Sequence, residues 1–203
     1  DHGHDDHGHD HIHVHEHADA KHHDQDPHFW TSPEHVIEVA HVITETLCEL
    51  DPENAARYEK NFARYEAELN ALDAYADETF AAIPPERKVI ITHHGNLYHF
   101  GARYNIEIPA TLLGSFTTEG SEPSARQIVN ILEIINDEGV TAVFTESTVS
   151  PRLAQQVCHE AGLPPPPVLY IEAFSCTDEG PQDYTSQFRY TVDTIAKAIQ
   201  TEP

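Results

Sequence analysis

The chain has 203 residues and a formal charge of −24 at pH 7, with 35 acidic residues against 11 basic ones. This charge argues against nucleic acid and anionic membrane surfaces as partners and favours cations. The same excess of acidic residues is also typical of proteins from salt-loving organisms, in which it keeps the protein soluble. No apolar run approaches the roughly 20 residues that span a bilayer, so we expect no membrane insertion.

The first 25 residues form a segment, here called the histidine tract, that is rich in histidine and aspartate. Because it has almost no apolar residues, we predict that it is disordered without a ligand. Closely spaced imidazoles on a flexible chain bind zinc, copper and nickel weakly and with little discrimination. The tract therefore indicates an auxiliary metal-binding loop, whose histidines are His2, His4, His7, His9, His11, His13, His15, His17, His22 and His23.

Two helices are predicted after the tract. Ser32 followed by Pro33 marks a helix start, and apolar residues recur at helical spacing as far as Leu50. A second helix is predicted from about Pro52 to Ala82, on the order of 45 Å long at 1.5 Å per residue. This length is typical either of a kinked or bundled helix or of a rigid helix that joins two lobes.

From residue 84 onward the pattern alternates between strands and helices. Extended segments are predicted in KVIITHH, IEIPATLLG, VTAVFTES and PVLYIEAF, with helices between and after them, one of which ends at Gly139. Such a βαβ series predicts an α/β fold with a mostly parallel sheet and helices on both faces. The predicted regions are the histidine tract (1–25), a region of linker helices (26–83) and an α/β lobe (84–203).

Polar side chains lie where the predicted strands end, which is the edge where open parallel sheets bind ligands. His93 and His94 end the first extended segment. Glu146 ends the third and Glu172 lies in the fourth, while His28 lies far upstream. A set of two imidazoles and one or two carboxylates suits zinc or manganese.

Each of these residues has an alternative role. His28 is equally typical of a polar surface residue, and only one of the adjacent His93 and His94 can point toward the site. Glu146 could instead cap the following helix or pair with an arginine. Residue type alone does not decide between these roles.

The sequence contains none of the motifs GxGxxG, P-loop, GxSxG or HExxH, so we expect a binding protein and not an enzyme. Its three cysteines lack the CxxC spacing of a structural zinc site. Cys158 and Cys176 could form a disulfide in an exported protein, or they could remain free thiols.

An ordered series of motifs resembles the metal-binding solute receptors of ABC importers, in particular the zinc receptors of the ZnuA and TroA type. The motifs are DPHFWTSP, LDPENAARYEKN, THHGNLYHFGARYNI, EPSARQI, VFTESTVSPRLAQQV and VLYIEAFS, and they cover residues 24 to about 200. The resemblance implies two α/β lobes joined by a long helix, with the metal held between them. Zinc members of the family carry a histidine-rich loop just before the DPH motif, where this chain has its tract.

Carried over position by position, the resemblance implies that His28 and His94 are metal ligands and that His93 is a neighbour. Glu172 aligns with an aspartate ligand of the family, and Glu146 aligns with a residue that is not normally a ligand. The family's amino-terminal lobe and first histidine ligand precede the histidine-rich loop. The chain therefore resembles the linker helix and carboxyl-terminal lobe of such a receptor.

The resulting hypothesis is a monomeric zinc receptor, with manganese as the alternative ion, that captures the metal in the periplasm and delivers it to the permease of an ABC importer. His28, His94 and Glu172 would hold the ion, and the histidine tract would raise its local concentration. The alternative hypothesis is a freestanding metal buffer or chaperone, in which the tract itself is the binding element.

Overall fold

The computed structural model of the protein describes residues 26–113, 124–178 and 180–200; the histidine tract, with its predicted auxiliary ligands, lies outside them. No helix within these ranges is long and apolar enough to cross a membrane. The helices are α1 (Pro33–Leu50), α2 (Ala55–Ala81), α3 (Tyr98–Tyr104), α4 (Ala125–Asp137), α5 (Arg152–Ala161) and α6 (Tyr184–Gln200). The strands are β1 (Ile90–Ile91), β2 (Ala142–Val143), β3 (Thr145–Glu146) and β4 (Val168–Leu169).

The strands pair in parallel. β1 pairs with β2, with Ile90 opposite Ala142, and β3 pairs with β4, with Thr145 opposite Val168. Because only Phe144 separates β2 from β3, the two strands form one extended segment that has β1 on one side and β4 on the other. The predicted α/β fold with parallel strands is confirmed.

Successive strand residues face two different hydrophobic cores. Ile90 and Phe144 belong to a core formed with α2, α3 and α6, whereas Ile91 and Val143 belong to a core formed with α4 and α5. This division follows from the two-residue period of a strand, in which neighbouring side chains point to opposite faces. Helices therefore cover both faces of the sheet, as the sequence pattern predicts.

The second predicted helix begins later than expected. Residues Pro52–Asn54 form a 3₁₀ turn, and α2 then runs for 27 residues, about 40 Å at 1.5 Å per residue. The carboxyl-terminal part of α2, from Leu69 to Phe80, buries side chains in the core, whereas its first part lies against α1. On α1, the apolar side chains of Val42 and Leu50 remain exposed. The role of α2 as a helix between two lobes stays a prediction.

Aromatic packing fixes α3 between α2 and α6. The ring of Phe100 lies 5.6 Å from that of Phe80 on α2 and 5.8 Å from that of Phe188 on α6. Gly101 lets α3 approach the next segment closely, because a Cβ atom at this position would lie 2.6 Å from the carbonyl oxygen of Ile106. This packing holds α3 directly after the loop that follows β1 and carries His93 and His94.

Cys158 and Cys176 are both free thiols in the structure and form no disulfide with each other. Cys158 is buried on α5 among apolar side chains, and burial raises the pKa of its thiol to about 11. Cys176 is exposed in the segment before α6. Of the two alternatives left open by the sequence, the structure contains the free thiols.

Candidate metal centre

Two imidazoles and one carboxylate converge at the carboxyl ends of the strands. Nε2 of His28 lies 3.0 Å from Oε1 of Glu172, and Nε2 of His94 lies 2.9 Å from the same oxygen. The candidate ligand atoms of the three residues all lie within 4.8 Å of one another. Ligand atoms around a tetrahedral zinc ion are about 3.3 Å apart when each lies about 2.0 Å from the metal. Small side-chain shifts would therefore suffice to surround one ion.

The turn before α1 holds His28 in place. Its backbone N–H donates to Oδ1 of Asp26 at 3.0 Å, and the hydroxyl of Thr31 donates to its carbonyl oxygen at 2.9 Å. On the imidazole ring, Nδ1 lies 2.5 Å from the same Asp26 oxygen. With Nδ1 occupied in this way, Nε2 is the ring nitrogen that faces Glu172.

His94 follows β1 and is completely buried. The hydroxyl of Thr92 donates to its carbonyl oxygen at 2.7 Å, which fixes the backbone where the strand ends. Nδ1 of the ring lies 2.8 Å from Oε1 of Glu146, which ends strand β3. The ring is therefore held from the side opposite to Glu172.

Glu172 lies in the segment after β4, and 29 % of its side chain is exposed. The indole N–H of Trp30 donates to the carbonyl oxygen of Ile171 at 3.1 Å. The side-chain amide of Gln187, on α6, lies 3.4 Å from the carbonyl oxygens of Ile171 and Ala173. The Trp30 contact holds the segment that carries Glu172 against the turn that carries His28, and the Gln187 contacts hold it against α6.

Neighbouring carboxylates change the proton affinity of the site. Burial by itself lowers the pKa of His94, but the hydrogen bonds and charges of Glu146 and Glu172 outweigh burial and raise the pKa above its ordinary value of 6.5. Burial likewise raises the pKa of Asp26, and the hydrogen bonds from His28 outweigh it and hold the pKa below its usual range. A proton at His94 therefore competes with any metal ion for Nε2.

The other two candidates from the sequence, His93 and Glu146, lie beside the three converging residues. His93 is buried, burial lowers its pKa, and its Nδ1 has no hydrogen-bond partner among the described residues. Glu146 contacts Nδ1 of His94, whereas Glu172 contacts Nε2 of the same ring. Neither His93 nor Glu146 belongs to the group of candidate ligands that the described residues form.

Asp26, His35 and His99 were not predicted as site residues from the sequence. In the structure, Nε2 of His99 lies 3.0 Å from the carbonyl oxygen of Asp26, and the rings of His35 and His99 are 4.9 Å apart. The signal for Asp26 was present in the DPH motif. An aspartate can accept a hydrogen bond from the backbone N–H two residues later, which here belongs to His28.

Comparison with known proteins gives a family match over nearly the whole chain. The family described as "Zinc-uptake complex component A periplasmic", ZnuA, matches residues 1–198. The chain is 33 % identical over 175 residues to the metal ABC transporter substrate-binding lipoprotein SsaB of Streptococcus sanguinis, and 32 % identical over 174 residues to the iron-binding protein YfeA of Yersinia pestis. These alignments cover 86 % and 85 % of this chain, and 56 % and 55 % of the relatives. The chain thus spans about half the length of these relatives.

Solved structures with similar folds include further metal-binding proteins. The periplasmic zinc-binding protein TroA of Treponema pallidum has a TM-score of 0.74 at 25 % identity, and the match covers 86 % of this chain and 64 % of that one. A crystal structure of ZnuA has a TM-score of 0.72 at 29 % identity, with coverage of 85 % and 60 %. The fold of the described residues is therefore that of metal receptors.

Proposed function

Because this chain belongs to the ZnuA family of periplasmic zinc-uptake components, we propose that it binds one divalent metal ion through His28, His94 and Glu172. It acts as the solute-binding component of an ABC importer: it captures the ion in the periplasm as a monomer and delivers it to a membrane permease. Members of the family are solute-binding proteins and not enzymes. The proposal accordingly includes no catalytic step.

The observation that supports this function most strongly is the convergence of three ligand atoms from distant parts of the chain. His28 precedes α1, His94 follows β1, and Glu172 follows β4, yet their ligand atoms lie within 4.8 Å of one another. Two of the three residues are buried and one is partly exposed. A buried imidazole pair with one exposed carboxylate suits an ion that enters from solvent and leaves again.

Zinc is the proposed ion, ahead of manganese. Two imidazoles and one carboxylate form a donor set that zinc accepts readily, whereas manganese favours carboxylate, carbonyl and water oxygens. Relatives carry names that specify other metals, such as the manganese ABC transporter substrate-binding lipoprotein scaA of Streptococcus gordonii, at 33 % identity. The preference for zinc therefore rests on the imidazole donors of this chain.

The histidine tract has an auxiliary role in this proposal. Its ten histidines collect ions by weak and rapidly exchanging binding, and they raise the metal concentration near the three-residue site. The competing function is that of a metal buffer, in which the tract provides nearly all binding. The two functions differ in which part of the chain contains the tight site.

Deletion of residues 1–23 distinguishes the two functions. The shortened chain is expected to retain one tight zinc site with the affinity of the full chain, because the three converging residues lie outside the deleted part. Both forms are titrated with zinc against a calibrated chelating dye. The fluorescence of Trp30, the single tryptophan of the chain, reports binding beside His28, because the two ring centroids are 5.3 Å apart.

In the full chain, the Trp30 signal is expected to saturate after one zinc equivalent, while additional weak sites continue to fill. A shortened chain with only weak binding, and no change in Trp30 fluorescence, would favour the buffer and contradict the receptor. A tight site that survives the deletion but leaves Trp30 unaffected would place the ion elsewhere in the chain.

A further inference from the structure

We propose that Asp26 and Glu146 are positioning residues of the metal site, each of which holds one imidazole by Nδ1 so that its Nε2 faces the ion. This inference rests on the proposed metal-binding function. It assigns to Glu146 a role other than that of a ligand, and it gives Asp26 a role that was not predicted from the sequence.

The two imidazoles are held in the same way by unrelated parts of the fold. Asp26 lies two residues before His28 and approaches its Nδ1 at 2.5 Å within one turn of the chain. Glu146 approaches Nδ1 of His94 at 2.8 Å from across the sheet. In both rings the opposite nitrogen, Nε2, lies about one hydrogen-bond length from Oε1 of Glu172. This repeated arrangement points to a requirement for ring orientation.

Both carboxylates are buried where packing alone would favour apolar side chains. The side chain of Asp26 is 0 % exposed and that of Glu146 is 3 % exposed. Oδ2 of Asp26 and Oε2 of Glu146 have no hydrogen-bond partner among the described residues, and the closest approach of His99 to Oδ2, 3.8 Å, is too long for a hydrogen bond. Burial of a carboxylate is costly without such partners, so the contacts with the imidazoles are the main compensation.

The chemistry of imidazole explains what these contacts achieve. A neutral ring has one N–H donor and one nitrogen with a free lone pair. When Nδ1–H donates to a carboxylate, the lone pair is on Nε2, and the hydrogen bond both orients the ring and increases its basicity toward the metal. Asp26 and Glu146 thus select the tautomer in which His28 and His94 can bind the same ion.

Neutral replacements of nearly identical shape test this role. Glu146→Gln and Asp26→Asn keep the side-chain size but can turn an amide N–H₂ toward Nδ1, which favours the opposite tautomer. Each variant is expected to bind zinc about 10- to 100-fold more weakly than the unaltered full chain. The matched control is Asp73→Asn, which removes a carboxylate that pairs with Arg103 and Tyr104 away from the site. Its zinc affinity is expected to remain unchanged.

A second readout needs no variant of the positioning residues. Nitrogen-15 NMR of the zinc-loaded chain, with the signals of His28 and His94 assigned through His→Gln variants, distinguishes a ring that carries its proton on Nδ1 from one that carries it on Nε2. We expect Nδ1–H in both rings and metal coordination through Nε2. Because this experiment does not use the Glu146 variant, it tests the inference even if a substitution of Glu146 prevents folding.

The outcomes separate this inference from the proposed function. Weaker zinc binding in both variants, with Nδ1–H in both rings of the unaltered chain, supports it. Unchanged affinity in Glu146→Gln and Asp26→Asn, or coordination through Nδ1, overturns it while the metal site stands. The absence of any tight zinc site in the unaltered chain overturns both proposals.

Discussion

Replacement of His94 by alanine is expected to lower the affinity of the tight site for zinc by about 100- to 1,000-fold. The binding free energy of zinc at sites with four protein ligands is about 10–16 kcal/mol, or about 2.5–4 kcal/mol for each ligand. Each 1.4 kcal/mol corresponds to about a tenfold change in affinity. His94 is completely buried between Glu146 and Glu172, so no exposed side chain can easily replace it.

The adjacent histidine provides a matched control for this variant. His93→Ala removes a buried imidazole that lies next in the sequence but does not belong to the group of candidate ligands. Dye competition is expected to show unchanged zinc affinity in His93→Ala. Thermal unfolding of both metal-free variants shows whether either substitution disturbs the fold. Equal losses of affinity in the two variants would contradict the assignment of His94 as the ligand.

Acidification is expected to weaken zinc binding by about tenfold per pH unit once the pH falls below the pKa of His94. The neutral imidazole binds the metal, and the carboxylates of Glu146 and Glu172 raise the pKa of His94 above 6.5 despite its burial. The competition from protons therefore begins at a higher pH than for an ordinary histidine. Titrations at several pH values between 5 and 8 measure this dependence.

The metal-free fold should respond to pH in the opposite direction. Because folding raises the pKa of His94, its contribution to stability is complete below the pKa of the unfolded chain and is lost as the pH rises through the folded pKa. The increase in melting temperature on addition of zinc should consequently be larger at pH 8 than at pH 6. Zinc affinity that is constant from pH 5 to pH 8 would contradict a role for His94.

The layers of the fold could be predicted because the strands carry their own pattern. Ile90 and Ile91 face different cores, and so do Val143 and Phe144, as the two-residue period requires. The order of strands and helices then limits the fold to a parallel sheet with helices on both faces. The exposure of Leu50 on α1 was less predictable, because helical spacing indicates an apolar face but not what covers it.

The site was only partly predictable from residue type. His94 ends one predicted parallel strand and Glu172 lies in another, and the carboxyl ends of such strands lie at one edge, so their proximity was expected. His28 lies in a turn before α1, and only the DPH motif distinguished it from a surface histidine. Residue type did not decide between His93 and His94, because that choice depends on ring direction; only the family resemblance implied His94.

The contacts that support the site could not be predicted from the sequence. Asp26 contacts Nδ1 of His28, whereas His99 and Trp30 contact the backbone carbonyl groups of Asp26 and Ile171. These contacts join segments as far apart in sequence as residues 30 and 171. A possible disulfide likewise depends on distance, and the free thiols of Cys158 and Cys176 show that residue pairing could not be read from composition.

Anomalous X-ray diffraction at the zinc absorption edge, from crystals of the zinc-loaded full chain, locates the bound ion directly. We expect a strong peak about 2.0–2.1 Å from Nε2 of His28, from Nε2 of His94 and from a carboxylate oxygen of Glu172. A fully occupied zinc ion bound elsewhere, with no peak among these three residues, would contradict the proposed site and the receptor function that depends on it.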